Sequence, residues 1–403
     1  MKRNVLVSVV VSLLLFLNVV SAQSSVSERF GIKTDVSGIV IMQGTPKAND
    51  GKNDALSSGS YLFDLKLIKE FENGKVVTHF KGGNGHGLEL DGSGSNGVNT
   101  YGQVNANADP TFVGGIELAK VVELYYEQKV LILERELTVD FGKLNFWEFF
   151  SKNEFADDDS SQFLTGTFCG DKTIDSVPQH PAFRINYALN AKLDASYAYF
   201  MTDLNHIDAN GINIVQAHFK PVIGGNYRLY VWGNNSMYYK FSDPNSQSST
   251  YGFGISASQA LNDDFGIFTR CGYKDHSVGG HERDENDNEL HTFKLPLSVM
   301  WSVGAQIKGS KWSRENDVIG IAIGQIYGSS NAKGIIKEYN NGNYKDTAET
   351  QFELYYRFAI NSHIALTSAF QYFANPRGGN VLTGVQNAGK NVLVYGIRTT
   401  FNF

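Results

Sequence analysis

The closing stretch of the chain constrains its fold more than any other. From Leu393, every second residue is mostly apolar: Leu393, Tyr395 and Ile397, then Phe401 and Phe403 after Thr399. The intervening positions carry Val394, Gly396, Arg398, Thr400 and Asn402. An extended backbone sends alternate side chains to opposite faces. This segment therefore reads as a strand with one greasy and one polar face. It suits a membrane barrel wall, with lipid on one side and a lumen on the other. Taken alone, it also suits a half-buried strand of a soluble sandwich.

The pattern recurs. Phe352, Leu354, Tyr356, Phe358 and Ile360 alternate with Gln351, Glu353, Tyr355 and Arg357. Phe293 to Ile307 and Phe183 to Leu189 behave alike, as do stretches near 61–67, 137–141, 227–231, 251–257 and 319–323. The chain has 41 Gly, 27 Phe and 20 Tyr against 8 Pro, which favours many strands joined by turns. About sixteen strands result, among them 116–127, 134–142, 225–234 and 249–260. The connections alternate in length: Glu72-Asn73-Gly74, Asn190–Lys192, Asn262–Asp264 and Asn361–His363 are short, whereas the stretches up to Gly115, Lys274–Thr292 and Ala374–Lys390 are long. A barrel with turns at one rim and loops at the other requires this alternation, and a sandwich does not. The expected fold is all-β, a transmembrane antiparallel barrel.

The N-terminus agrees with export. Lys2 and Arg3 precede an apolar run from Val5 to Val20, followed by Val20-Ser21-Ala22, the parts of a secretory signal peptide. Residues 1–22 are read as that signal and 23–403 as the barrel. Loss of Lys2 and Arg3 takes the net charge from −6 to −8, which offers nothing to nucleic acid. The two cysteines, Cys169 in a connection and Cys271 on a lipid-facing position, do not make a disulfide scaffold.

One connection, Lys143–Pro181, is unusually aromatic, with Phe146, Trp147, Phe149, Phe150, Phe163 and Phe168. Rings in such number need a surface to bury against. Two placements offer one: inside the barrel, as a third loop narrowing the lumen, or over its mouth.

Leu124-Tyr125-Tyr126-Glu127-Gln128, Phe141-Gly142-Lys143-Leu144-Asn145, Phe155-Ala156 and Gln162-Phe163-Leu164 are similar to the OprB-type carbohydrate-selective porins. So are Phe370-Gln371-Tyr372-Phe373-Ala374-Asn375-Pro376 and Gly396-Ile397-Arg398 before Phe403. The resemblance implies a sixteen-stranded outer-membrane barrel with an infolded third loop that passes small sugars by diffusion. Outer-membrane lipids and the barrel assembly machinery would then be its partners. The ending resembles the signal that this machinery reads, which makes Tyr395, Ile397, Phe401 and Phe403 the candidate assembly signal. Monomer and homotrimer both remain open.

Positions complementary to the lipid face point inward: Glu136, Asp140, Arg184, Arg228, Tyr230, Trp232, Arg270, Glu353, Arg357 and Arg398. Opposed charges with aromatics suit a neutral polyol, whose hydroxyls hydrogen-bond and whose C–H faces pack on rings. These ten are the candidate pore-lining residues; the bland alternative is that they brace the inner wall. No enzyme is expected. There is no GxSxG or HExxH, and the GxGxxG of Gly92–Gly97 lacks a following helix pattern. Asp157-Asp158-Asp159 and Asp284–Glu289 could hold a divalent cation, but they lack the spacing and the Gly of a calcium loop and read better as solvated acidity, so no metal or cofactor is expected. A non-selective or ion-passing porin, or an adhesive barrel without a channel, would share the same strands.

Overall fold

The computed structural model describes residues 30–49, 55–84, 87–88, 97–107, 117–175, 179–202, 210–279, 282–283, 289–290, 297–339, 342–380 and 390–403. The expected signal peptide, most of the GxGxxG motif and most of the acidic run 284–289 lie outside them. The chain forms a closed antiparallel barrel of 16 strands. In order these are β1 (Ile32–Thr45), β2 (Leu56–Phe71), β3 (Gly74–Asn84), β4 (Glu117–Ile132), β5 (Arg135–Asn145) and β6 (Gln179–Asn190). Next come β7 (Leu193–Met201), β8 (Gly211–Phe219), β9 (Gly225–Lys240), β10 (Asp243–Ala260) and β11 (Phe265–Lys274). The last five are β12 (Leu297–Lys308), β13 (Val318–Gly328), β14 (Glu349–Ala359), β15 (Ile364–Ala374) and β16 (Val392–Asn402).

The seam joins the first strand to the last. β1 pairs with β16 from Ser37 opposite Asn402 to Gly44 opposite Tyr395. Val36 and Phe403 exchange backbone bonds of 3.1 and 2.8 Å, so the terminal residue completes the ring. Closure leaves no unpaired edge, the condition for strands to cross lipid. The apolar set faces out: Leu229 and Val231, Phe253 and Ile255, Ile321 and Ile323, and Tyr395 and Ile397 are all exposed. Their neighbours in sequence point into the lumen and are mostly buried.

Turn chemistry explains where the expected boundaries move. The reading that ends β4 near 127 is corrected, because the strand runs to Ile132 and turns on Leu133-Glu134. Both turn residues adopt positive φ, 52° and 62°, as a two-residue hairpin demands. Nothing in Leu-Glu advertises that turn. The gap expected at 235–248 is also corrected. β9 and β10 continue to Lys240 and from Asp243, with only Phe241 and Ser242 between them. At the other rim, residues 309–317 form the bulkiest short connection. There Asp317 gathers the guanidinium of Arg314, the hydroxyl of Tyr356 and the backbone N–H of Ala359.

The interior is packed, not empty. Phe146 and Phe150 cluster with Phe200, Ile212, Ile214 and Trp232. Phe163 and Phe168 cluster with Ile39, Ile41, Phe268 and Tyr355. Both cores lie between the wall's inward side chains and the connection that follows β5.

Candidate functional site

That connection begins where Asn145 ends β5 and its side chain accepts the Trp147 N–H at 3.3 Å. The aromatic residues then meet the wall. The ring of Phe146 lies 5.1 Å from that of Phe200. Phe163 stands edge-on to Tyr355 at 4.9 Å and lies 5.6 Å from Phe268. Phe146, Phe150, Phe163 and Phe168 keep no exposed surface, while Trp147 and Phe149 are partly buried. Each ring so buried contributes about 1.5–3 kcal/mol.

Glycines on the wall make room for this seating. A Cβ at Gly266 would collide with the Phe155 ring, and one at Gly396 would come within 2.8 Å of Leu164. Both positions share the inward face, Gly266 opposite Gln306 and Gly396 opposite Gln43.

The inward charges hold the segment by its backbone. Arg270 donates to the carbonyls of Phe168, Ser151 and Ala156 at 3.1, 2.9 and 2.9 Å. Arg398 donates to those of Asp159 and Gln162 at 2.8 and 2.7 Å. Glu353 accepts the N–H groups of Leu164 and Thr165 at 2.8 and 2.7 Å. Arg228 reaches the Lys152 carbonyl at 3.0 Å and the Glu154 carboxylate at 3.2 Å. Tyr230 donates to Asp171 at 2.7 Å, and Trp232 packs under Phe146 and its neighbours. Arg184 pairs with Asp140 at 2.6 Å and lies 4.8 Å over the Phe149 ring.

Two of the ten sit apart from this assembly, towards the short-turn rim. Glu136 is exposed and pairs with Lys129 at 3.1 Å, and Arg357 donates to the Asn316 carbonyl at 3.2 Å. Arg270, Glu353 and Arg398 are wholly covered, so in this arrangement they touch the segment and not the open lumen. Of the closing residues, Tyr395 and Ile397 face outward, Phe401 pairs with Gly38 and Ile364, and Phe403 stacks on His363 at 5.1 Å.

A second segment joins the first, and nothing in the sequence reading singles it out. Residues 97–107 run alongside: Ala106 N–H donates to the Leu164 carbonyl at 2.7 Å, and Gly166 and Thr167 donate to Gln103 and Gly102 at 3.1 Å. Glu349 accepts the N–H groups of Tyr101, Gly102 and Arg377 at 2.6, 3.0 and 2.8 Å, tying this segment to the connection after β15. Buried Val98, Tyr101 and Val104 are the available sequence signal within an otherwise Asn- and Gly-rich stretch.

The acidic run is spent within the segment. Asp157 pairs with Lys152 and lies 3.9 Å from Arg270. Burial pushes its carboxyl up to about 6 against the pull of both cations. Desolvation works to raise Asp158, but the hydroxyls of Ser160 and Ser161, the Ser160 N–H and the charge of Arg398 together hold that carboxyl below its ordinary range. Among the described residues, no group of three or more His, Cys, Asp or Glu could hold a metal ion. Cys169 and Cys271 are free thiols.

Further charges pair with one another elsewhere on the inner wall, on β2, β3 and β4, where Glu123 is fully buried. His79 stands between Asp64 at 2.7 Å and Glu123 at 2.9 Å. Lys66 lies 3.4 Å from Glu123, and Lys75 lies 2.9 Å from Glu127. Their signal is the same period-two rule: Asp64 and Lys66 interleave with Phe63, Leu65 and Leu67.

The family model described as carbohydrate-selective porin, OprB family, matches residues 58–403. No curated protein gives a significant match. Among solved structures, the high-pH structure of Pseudomonas putida OprB superposes with a TM-score of 0.73 at 16% identity, covering 92% of this chain and 94% of that one. The outer-membrane channel DcaP of Acinetobacter baumannii gives 0.52 at 11% identity, with 93% and 98% covered. An anion-selective porin from Comamonas acidovorans gives 0.52 at 8% identity, with 92% and 99% covered. At such identities these likenesses speak for the fold.

Proposed function

The chain belongs to the carbohydrate-selective porin, OprB family, and from that premise we propose that small neutral sugars diffuse through a lumen narrowed by residues 146–175. One observation carries the narrowing. Four inward side chains from four strands, Arg228, Arg270, Glu353 and Arg398, all bond to this segment. A channel must bind its solute weakly enough to release it. Contacts scattered along a polar wall meet that need better than a closed pocket.

The same reading places the barrel in an outer membrane after cleavage behind Ala22, with long connections outward and Phe403 serving assembly. The fully buried Arg270, Glu353 and Arg398 act as positioning residues for the narrowing, while Asp140 and Arg184 support Phe149. No catalytic role is assigned to any residue. The test is swelling of vesicles carrying the purified, folded barrel in isotonic glucose. Swelling faster than in protein-free vesicles supports sugar passage. Equal rates leave only an ion-passing or structural barrel.

A further inference from the structure

Residues 97–107 contain no charged side chain, yet a wholly buried carboxylate of the wall grips their backbone. Both oxygens of Glu349, at the start of β14, are used. Oε2 accepts the N–H groups of Tyr101 and Arg377. Oε1 accepts that of Gly102 and the side-chain amide of Gln351, the latter at 2.6 Å. Hydrogen bonds to an ionised acceptor are roughly twice as strong as neutral ones. Arg377 offers its N–H from a left-handed backbone, with φ at 52°, that residues other than glycine rarely adopt. One side chain thus fastens two connections to the wall.

Neutral side chains hold residues 97–107 at other points. Gln43 of β1 and Gln371 of β15 both donate to the Val104 carbonyl, at 2.7 and 2.9 Å, and Asn105 donates to Ser60 of β2 at 3.1 Å. Gln371 also donates to the Thr165 hydroxyl at 2.8 Å, and Lys172 to the side-chain oxygen of Gln103 at 2.6 Å, so the two segments share supports. A Cβ at Gly102 would collide with the Gln351 amide and the Thr167 hydroxyl, a measure of how closely the pieces approach. Gln43, Gln351 and Gln371 are inward and buried. The two segments therefore stand between these side chains and the barrel axis. The bonds of residues 97–107 run from β14 across the seam to β2, a sector adjoining the strands that hold residues 146–175.

We propose that residues 97–107 complete the narrowing that residues 146–175 begin, and that Glu349 is the positioning residue that holds them across the lumen. The inference deepens the sugar-channel reading above and rests on it. Residues 146–175 are seated by buried rings and arginines, so their place survives the loss of one bond. Residues 97–107 bring few rings and no charge, so their place depends on the carboxylate that meets them. Release from Glu349 would free one side of the path and admit larger sugars.

The experiment uses the full barrel, with folding of each variant confirmed by heat-shifted mobility on gels. Glu349→Gln keeps the shape but leaves a single acceptor oxygen, so an NH2 group would face the N–H of Gly102 or those of Tyr101 and Arg377. Hydrogen exchange in residues 97–107 should speed by about tenfold or more, the scale of one lost bond to a charged group, while residues 146–150 keep their protection. Conductance should rise, and raffinose should gain on glucose in vesicle swelling. A Glu349 that only braced the barrel would lower the temperature of the heat shift and leave that sugar ratio alone. Gly102→Ala displaces the segment without touching the carboxylate and gives the same reading of it should Glu349→Gln fail to fold. Unchanged exchange, conductance and sugar ratio in the folded variants would overturn the inference, and so would faster exchange with unchanged conductance. Faster exchange with raised conductance, in a barrel whose wild type passes no glucose, would support the second piece of the narrowing and overturn the sugar reading alone.

Discussion

Arg398 donates to the Gln162 carbonyl at 2.7 Å, which binds a residue of the strand at the barrel seam to the middle of the segment that follows β5. Five strands round the wall, Arg270 performs the same task on three other carbonyls. The segment is thus held at separate points by charges that see no water. A buried charge is tolerated only where hydrogen bonds replace its hydration. Backbone carbonyls supply those bonds here.

Replacing Arg270 by Leu would strip the carbonyls of Phe168, Ser151 and Ala156 of their donor. Each buried polar group left unpaired costs about 1–3 kcal/mol. The barrel should still close, because its backbone ladder is untouched, but the segment should open to added protease and single-channel conductance should rise. Protease resistance equal to wild type would show that the rings alone hold it.

Gly396→Leu tests the seat itself, since its Cβ would stand 2.8 Å from Leu164. It should loosen the segment as Arg270→Leu does. Gly233, around which a Cβ would meet nothing within 4 Å, is the matched control, and Gly233→Leu should leave conductance unchanged. Equal behaviour of the two variants would contradict the seating.

Much of this architecture is legible in the sequence, and the limits have physical causes. Leu393, Tyr395 and Ile397 announce a lipid face because lipid demands apolar groups at every second position. Beyond the lipid that demand lapses, so the extensions of β9 and β10, rich in Asn, Ser and Tyr, look like a loop while pairing as strands. Leu133-Glu134 takes a left-handed turn that its residue types do not signal. The inward direction of Arg270 and Glu353 follows from parity. What covers them does not, because parity says nothing about where a connection folds. Residues 97–107 escape for the same reason.

Acidification should tighten the seat. The folded carboxyl of Asp157 titrates at about 6, above the ~3.9 of an unconstrained aspartate. The docked state therefore binds the proton more readily. Its extra stability is full below about pH 4 and is lost as pH rises through about 6. Proteolysis or hydrogen exchange of residues 146–175 should be slower at pH 5 than at pH 7, and Asp157→Asn should flatten the difference. Faster opening at pH 5 would reverse the sign.

Export and closure give a further expectation. The mature protein should begin at Gln23 by N-terminal sequencing. Deleting Phe403 removes both backbone bonds to Val36 and the stack on His363. It should lower the yield of folded barrel in the outer-membrane fraction. Undiminished yield would free the terminal residue of any part in assembly.

The central claim is that one infolded segment narrows the path that sugars take. Its most direct test is a single preparation of folded barrel in which residues 156–165 are replaced by a short Gly-Ser bridge, compared with wild type for both ion conductance and swelling in glucose and in the trisaccharide raffinose. The account predicts that wild type admits glucose well ahead of raffinose, and that the shortened protein conducts more and loses that distinction. Unchanged conductance and an unchanged glucose-to-raffinose ratio in the shortened, folded barrel would contradict it.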